Sequence, residues 1–212
     1  MSDQTLIYHF THMQNLPFIL EAGTLRCTTY LQQTNQHPVD IAHQAIQARR
    51  ATKQVPHPPY GTIQDYVPFY FATRQPMLYA IYRHNVESFT GNQDELIYLV
   101  STVEAVLASG RPYLFTDGHP TMAFTRFYTD WAQDHDQIDW PLMAAKYWQD
   151  TDEDPDRKRR RQAEFLIHEE LDCTAVIGIA TMTKDVQQWV IQQLENTPYT
   201  GWYVATRPAW YF

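Results

Sequence analysis

A carboxylate at the start of an apolar segment is the side chain best placed for chemistry in this sequence. Glu164 opens the apolar run 164–167, and Gln162 precedes it by two residues. A buried carboxylate is costly, so Glu164 should be hydrogen-bonded or functional if the run is an internal strand. Alternation along a strand would place Gln162 on the face of Glu164. The alternative is an exposed glutamate at a strand edge, with Gln162 as a polar neighbour.

Two polar side chains near the N-terminus form a second candidate site. His9 and Thr11 lie two residues apart on the first predicted strand, so alternation puts them on one face. Both side chains form hydrogen bonds, and together they could bind one polar ligand. The alternative is a strand edge whose histidine is satisfied by nearby backbone.

Aromatic side chains are concentrated in one predicted strand. The segment 66–71 places Tyr66, Phe69, Tyr70 and Phe71 on its two alternating faces, in a chain that is 14% aromatic. Such rings could stack on a planar ligand, and Tyr70 is our candidate for that contact. Core packing alone is the alternative interpretation.

Basic residues occur in two clusters that could contact a polyanion. The run Arg157, Lys158, Arg159, Arg160 and Arg161 leads directly into Gln162 and Glu164, while Arg49, Arg50 and Lys53 form the second cluster. Cations beside a candidate catalytic strand favour a polyanion groove. The alternative is a solvated run that is neutralised by the preceding acidic residues 150–156.

Length and composition limit the possible classes of protein. The 212 residues predict a single domain over 1–212, and 44% hydrophobic residues suffice for a core. A net charge of −8 excludes a protein that binds the nucleic-acid backbone over its whole surface, although a local basic patch stays possible. Two distant cysteines predict neither a disulfide framework nor a metal site. No membrane span or signal peptide is evident, and we expect a cytoplasmic monomer.

Hydrophobic periodicity predicts interspersed strands and helices. Because they do not alternate as regular βαβ units, an α+β fold is favoured over a doubly wound sheet. Motifs of dinucleotide-binding Rossmann folds, P-loops, zinc proteases and α/β-hydrolases are absent from the sequence. We predict strands over 6–10, 67–71, 96–100, 113–115, 164–167, 175–180 and 202–205, helices over 12–22, 39–50, 75–83, 103–108, 121–132, 139–148 and 184–194, and loops over 24–38 and 51–64.

Six short segments, in this order, resemble one known family, the DarT proteins. The resemblance spans roughly residues 6–170, and its specificity comes from the six segments together. They are Tyr8-His9-Phe10-Thr11-His12 with Asn15-Leu16, Ile46-Gln47-Ala48-Arg49-Arg50, Asp65-Tyr66-Val67-Pro68-Phe69-Tyr70-Phe71, Met77-Leu78-Tyr79-Ala80-Ile81, Thr116-Asp117-Gly118-His119 and Gln162-Ala163-Glu164-Phe165-Leu166-Ile167.

The resemblance implies a fold, an activity and a set of site residues. The fold is that of an ADP-ribosyltransferase, with a split β core of two small, mostly antiparallel sheets, peripheral helices and an NAD⁺ cleft. The activity is transfer of ADP-ribose from NAD⁺ to thymine in single-stranded DNA, without a metal. The implied catalytic residues are Glu164 and Arg50. The implied NAD⁺ contacts are His9, Thr11, Asn15, Leu16, Tyr70 and Arg50, and the implied DNA contacts are His119, Arg49, Gln162 and Arg161.

The resemblance also implies partners and leaves alternative activities open. Members are toxin halves of bacterial toxin–antitoxin pairs, so a macrodomain antitoxin is expected. Segment 31–53 would cover NAD⁺, and segment 121–163 would contact the target. Guanine in DNA, RNA or protein are alternative targets, and an RNA 2′-phosphotransferase is an alternative enzyme of the same fold. A non-catalytic nucleic-acid-binding module that uses residues 157–161 is the alternative of another class.

Overall fold

A mixed β-sheet flanked by short helices forms the protein, and a computed structural model describes residues 4–212. The strands are β1 (Leu6–His12), β2 (Thr24–Arg26), β3 (Tyr66–Tyr70), β4 (Leu96–Thr102), β5 (Tyr113–Thr116), β6 (Phe127–Tyr128), β7 (Glu164–His168), β8 (Glu170–Asp172), β9 (Val176–Thr181) and β10 (Tyr203–Thr206). The helices are α1 (Leu16–Ala22), α2 (Thr28–Gln33), α3 (Gln44–Thr52), α4 (Pro76–Tyr82), α5 (Val103–Ser109), α6 (Trp131–Asp134), α7 (Trp140–Ala144), α8 (Arg157–Arg161) and α9 (Lys184–Leu194). None of these helices is both long and apolar enough to cross a bilayer.

The main sheet is divided into two halves. Its eight strands run in the order β10-β9-β4-β1-β3-β7-β5-β6, and β2 and β8 form a separate pair. β1 pairs with β4 along its whole length, but in the described residues it meets β3 only at Tyr8 and Tyr70. The other pairs are antiparallel except that of β9 with β10. The predicted α+β class with a split core is confirmed, and the halves belong to one sheet.

Buried side chains divide between the two faces of this sheet, as strand alternation requires. On one face, residues such as Ile7, Phe69 and Phe165 form a core with α1 and α9. The opposite face carries two separate clusters. One includes Phe10, Tyr98 and helix α4, and the other includes Tyr66, Leu114 and Leu166. Glu164 precedes Leu166 by two residues, so it lies on this divided face.

Several predicted elements differ from the observed ones. The predicted helix 12–22 begins one residue later than expected, because His12 pairs with Leu96 in the sheet; residues 13–15 form a 3-10 turn that leads directly into α1. The predicted helix 121–132 is wrong: this segment is a turn followed by β6 and the start of α6. The helix at 139–148 is shortened to α7, the helix at 39–50 becomes α3, and the loop 24–38 contains β2 and α2. These short segments depend on contacts distant in sequence, which local periodicity does not report.

Candidate active site

Glu164 lies at the start of β7, where its backbone is fixed on two sides. It stands opposite Tyr70 in the β3–β7 pair, and its N–H donates to Thr116 Oγ1 at 3.1 Å. The residue has 0% exposure. A carboxylate removed from water to this extent needs a partner of opposite charge or a set of hydrogen-bond donors.

Arg50 is that partner. It projects from the last turn of α3, and its Nη1 lies 3.0 Å from both Oε1 and Oε2 of Glu164. The side chains are 11% and 1% exposed, so the ion pair is nearly dry. Burial raises the pKa of Glu164 above its ordinary value, and the Arg50 guanidinium opposes that rise. The charged form of Glu164 therefore depends on Arg50.

One nitrogen of Arg50 has no partner. Its Nη2 is buried, and no atom of the described residues accepts a hydrogen bond from it. Leaving a buried charged donor unpaired costs more than the roughly 1–3 kcal/mol of a neutral group. A ligand oxygen in this crevice would remove that cost. Arg50 is thus arranged to bind a second acceptor while it pairs with Glu164.

His9 lies at the division between the sheet halves. Its Nδ1 is 2.8 Å from the carbonyl oxygen of Pro68 on β3, so a side chain bridges the two strands just beyond the Tyr8–Tyr70 pair. The pKa of His9 is lowered to about 4, chiefly by burial and in smaller part by the positive charge of Arg50, while the Pro68 contact opposes the shift. His9 is therefore neutral at pH 7, with Nδ1–H as the donor to Pro68.

Tyr70 occupies the same side of the sheet as Glu164. The two residues are directly paired across β3 and β7, and the Tyr70 ring stacks on Phe10 with 5.7 Å between centroids. Burial raises the pKa of Tyr70, and the carboxylate of Glu164 adds to this effect. Tyr70 therefore keeps its proton, and its neutral hydroxyl lies in the field of the Glu164 carboxylate.

His119 approaches the pair from a turn at residues 117–126. It is 9% exposed, and its Nδ1 accepts from the Thr121 N–H at 3.3 Å. Burial lowers the pKa of His119 to about 3, with contributions from the positive charges of Arg50 and Arg49. Because Nδ1 accepts a hydrogen bond, the neutral ring carries its proton on Nε2, which is therefore a donor.

The buried neutral state of His119 makes stability depend on pH. Its pKa falls from 6.5 to about 3 on folding, so the unfolded chain binds its proton first as pH decreases. Its contribution to the free energy of unfolding is fully present above pH 6.5 and is lost as pH falls from 6.5 towards 3. Between pH 7 and pH 5 the loss is about 2 kcal/mol. We expect His119→Asn to lose correspondingly less stability over that interval, measured by urea unfolding. Parallel losses in both proteins would contradict this prediction.

Two residues that were predicted to contact NAD⁺ have side chains that contact other parts of the protein. Asn15 donates to Thr11 Oγ1 and to the carbonyl of Val39, and accepts from the Val39 N–H. Its amide is therefore occupied in tying the segment before α3 to β1. Leu16 has 0% exposure and its side chain packs among apolar residues of the core. Thr11, with its hydroxyl engaged by Asn15, is buried beside them.

Arg49 and Gln162, two of the residues that were predicted to contact DNA, occupy different environments. Arg49 is exposed on α3 next to His119, as their electrostatic coupling indicates. Gln162 is not on a strand: it caps the end of α8, and its side chain donates to the carbonyl of Lys158. The alternation argument that placed it beside Glu164 is wrong, because β7 begins only at Glu164.

Arg161 does not occupy an open position for DNA. It is 3% exposed, and its guanidinium donates to the carbonyls of Leu142, Met143, Ala145 and Thr73. Burial lowers its pKa to about 10, so it stays charged at pH 7. These hydrogen bonds make Arg161 a structural brace that links α7, α8 and the segment after β3. This arrangement corrects the expectation that Arg161 contacts DNA directly.

Removing this brace should destabilise the fold. Arg161→Met leaves several buried carbonyls without donors, and we expect a loss of about 2–4 kcal/mol in the free energy of unfolding. Lys158→Met is the matched control, since it removes the same charge from an exposed side chain of α8 and should change stability by less than about 0.5 kcal/mol. Unchanged stability of Arg161→Met together with weakened binding of single-stranded DNA would instead assign Arg161 to the DNA.

The rest of the basic run also makes internal ion pairs. Arg159 pairs with Asp117 and Asp156, and Arg160 pairs with Asp139, Asp154 and Asp156. Arg157 donates to the carbonyls of Tyr147 and Gln149. Most of this positive charge is thus used to order segment 139–161, so the run does not form the open polyanion groove that was expected.

Thr116 is a site residue that sequence reasoning did not single out. It is fully buried. Its Oγ1 accepts from the Glu164 N–H and donates to the carbonyl of Gly118 at 2.7 Å. One hydroxyl therefore joins the catalytic strand to the turn that carries His119. The sequence feature that could have identified Thr116 is its position directly before Asp117-Gly118-His119.

The comparisons with known proteins agree with this geometry. A family model described as "ssDNA thymidine ADP-ribosyltransferase, DarT" matches residues 8–212. A DNA ADP-ribosyl transferase of Thermus sp. strain 2.9 is 37% identical over 214 residues, covering 99% of this chain and 97% of the relative. The structure of Thermus sp. 2.9 DarT with ADP-ribosylated ssDNA superposes with a TM-score of 0.89 at 37% identity, covering 99% and 97% of the two chains. The structure of that protein with NAD⁺ gives 0.85 at 35% identity, covering 99% and 98%.

The fold and these matches are thus those of an ADP-ribosyltransferase, an enzyme that uses NAD⁺ as co-substrate. The family model, which matches residues 8–212, identifies the family within this class of enzymes. The chain belongs to the DarT family, whose members act on DNA.

Proposed function

We propose that this enzyme transfers ADP-ribose from NAD⁺ to a thymine base of single-stranded DNA. The observation that carries the proposal is the dry Glu164–Arg50 pair, with a spare donor on Arg50, at the division of the sheet. The family description supports thymidine as the acceptor. The Thermus relative whose structure includes ADP-ribosylated ssDNA supports DNA as the substrate.

Cleavage of NAD⁺ is assigned to Glu164. The bond from ribose C1′ to the nicotinamide nitrogen breaks, its electron pair leaves with nicotinamide, and positive charge develops on the ribose, as in glycoside hydrolysis. A carboxylate that accepts a hydrogen bond from the ribose 2′-OH stabilises this state. Because the site excludes water, that stabilisation is worth roughly 3–4 kcal/mol.

The other polar groups are assigned to binding. The open side of β1 beyond Tyr8 offers backbone groups that β3 leaves unpaired, and His9 and Tyr70 border it. Arg50 would direct Nη2 at a phosphate or at an oxygen of the thymine ring. His119 and Arg49 lie on the side where the base would enter. With a pKa of about 3, His119 acts as a donor rather than as a base.

Single-stranded DNA follows from the chemistry of the acceptor. We assign the attack on C1′ to the ring nitrogen that thymine otherwise uses for base pairing; this nitrogen forms the bond to C1′ and gives its proton to the Glu164 carboxylate. A duplex hides that nitrogen, so the base must be unpaired before it can react. Aromatic stacking and arginines can hold such a base and its flanking phosphates.

The test is mass spectrometry of oligonucleotides incubated with enzyme and NAD⁺. A mixed single-stranded sequence should gain one ADP-ribose on a thymine, and the same strand annealed to its complement should not. Matched strands in which every thymine is replaced by cytosine, an RNA of the same sequence and cell protein separate the alternative targets. Modification of guanine, RNA or protein in preference to thymine would contradict the proposal.

We further propose that the enzyme is the toxin of a toxin–antitoxin pair in the cytoplasm. Family resemblance supports this role, with a macrodomain protein as the antitoxin that removes the ADP-ribose. Induced expression should stop growth of a bacterial host, whereas Glu164→Ala should not. Rescue by a co-expressed macrodomain hydrolase, and not by its inactive variant, is the corresponding test of the partner.

A further inference from the structure

A second arginine lies close to the active site without touching it. Arg159, on α8, is five residues before Glu164, and its side chain is 12% exposed. Asp156 receives two of its hydrogen bonds, from Nε at 2.8 Å and from Nη2 at 2.7 Å. The third nitrogen, Nη1, points away from α8 towards the turn that carries His119. The guanidinium thus joins two segments.

Both ends of that turn are fixed by Nη1. It donates to Asp117 Oδ1 at 2.9 Å and to Thr125 Oγ1 at 3.2 Å. The carbonyl of Arg159 also accepts from the His119 N–H at 3.0 Å. Thr125 in turn donates to the carbonyl of His119 at 2.8 Å. His119 therefore has both of its backbone polar groups held by Arg159 or by a side chain that Arg159 binds.

The packing at Gly118 shows how closely the arginine is enclosed. A Cβ atom at this position would lie 2.3 Å from Nη1 of Arg159 and 3.0 Å from its carbonyl oxygen. Any side chain at 118 would therefore displace the guanidinium. The closeness of this approach, and not the backbone conformation, explains glycine here.

We infer that Arg159 is a positioning residue that sets His119 and the turn 117–126 relative to Glu164, and so controls transfer to the base rather than cleavage of NAD⁺. The inference rests on the proposed function, because it assigns the turn to the acceptor. Glu164 keeps its own anchors, Arg50 and Thr116, which do not involve the Arg159 side chain. A loosened turn thus misplaces the acceptor while the cleavage site stays ordered.

The first experiment compares two reactions in Arg159→Ala. Transfer to a thymine oligonucleotide should fall about 10–100-fold, since displacement of about 1 Å can cost 10²-fold in rate. Hydrolysis of NAD⁺ without DNA, followed as nicotinamide release, should change by less than about threefold. Arg159→Lys keeps the charge but not the fork geometry, and we expect an intermediate loss of transfer.

Arg157→Ala is the matched control for charge. It removes one cation from the same helix, and its guanidinium contacts Tyr147 and Gln149 rather than the turn 117–126. Transfer should stay near the wild-type rate. If Arg157→Ala lowers transfer as much as Arg159→Ala does, the effect is one of charge and the inference is wrong.

Thr125→Val tests the same inference if Arg159→Ala does not fold. This nearly isosteric change removes the two hydrogen bonds of Oγ1 without opening a cavity. The same selective loss of transfer, of roughly three- to tenfold, supports the inference. Equal loss of transfer and hydrolysis in a folded variant, or normal transfer, overturns it. A wild-type protein that labels no DNA contradicts the proposed function itself, whatever the variants do.

Discussion

Glu164→Gln should reduce transfer of ADP-ribose to single-stranded DNA by at least about 10²–10³-fold. The amide matches the carboxylate in shape, so the side chain still fills its buried position opposite Tyr70. It carries no negative charge with which to stabilise the cationic ribose, and one group of this kind is worth roughly 3–4 kcal/mol. The rate is measured by mass spectrometry at saturating NAD⁺, and the fold by circular dichroism.

The control for this variant is Glu169→Gln. Glu169 is an exposed acid five residues further along the chain, so the substitution makes the same change of charge outside the site. It should keep nearly the wild-type rate. A Glu164→Gln enzyme that is folded and labels DNA at the wild-type rate would remove Glu164 from the mechanism. The crevice would then need another source of stabilisation.

Arg50→Gln should have the second-largest effect. It removes the partner that keeps a buried carboxylate charged, and breaking such a pair costs about 3–5 kcal/mol when the other charge stays behind. Because Arg50 opposes the rise in the pKa of Glu164, its loss should raise that pKa further. The acid side of the pH–rate profile should therefore move to higher pH, with a large loss of transfer at pH 7.

Arg50→Lys separates charge from geometry. Lysine keeps a positive charge near Glu164, so the acid side of the profile should return towards that of the wild type. Its donors all sit on one nitrogen, so it cannot place one at the position of Arg50 Nη2 while it contacts Glu164, and transfer should remain low. Weaker NAD⁺ binding with a normal maximal rate in both variants would restrict Arg50 to binding the co-substrate.

Sequence reasoning predicted the long central elements well. The apolar run 96–100 became β4, which is buried throughout, and the periodic segment 184–194 became α9 with the predicted bounds. In these elements local pattern and tertiary packing favour the same structure. The family was also predicted from six short segments and is confirmed by the match over residues 8–212.

The residues around the site were harder to predict. Glu164 and Arg50 are 114 residues apart, and nothing in local spacing brings them together, so only the family resemblance paired them. Gln162 was misplaced because strand alternation was extended past the real start of β7. Arg161 was assigned to DNA because a run of cations does not reveal which of its members is buried. Three of its four carbonyl partners lie in segment 139–148, where the observed helix is shorter than the predicted one.

The separation of 114 residues between Arg50 and Glu164 has a consequence for synthesis of the protein. A ribosome makes the arginine early, yet the glutamate arrives only after three-quarters of the chain. Nascent or prematurely terminated polypeptides that stop before β7 lack the carboxylate altogether. Chains emerge and fold from the N-terminus, so such fragments contain at most one member of the Arg50–Glu164 pair on which the proposed transfer depends. On the proposed function, transfer to DNA therefore requires translation of more than three-quarters of the polypeptide.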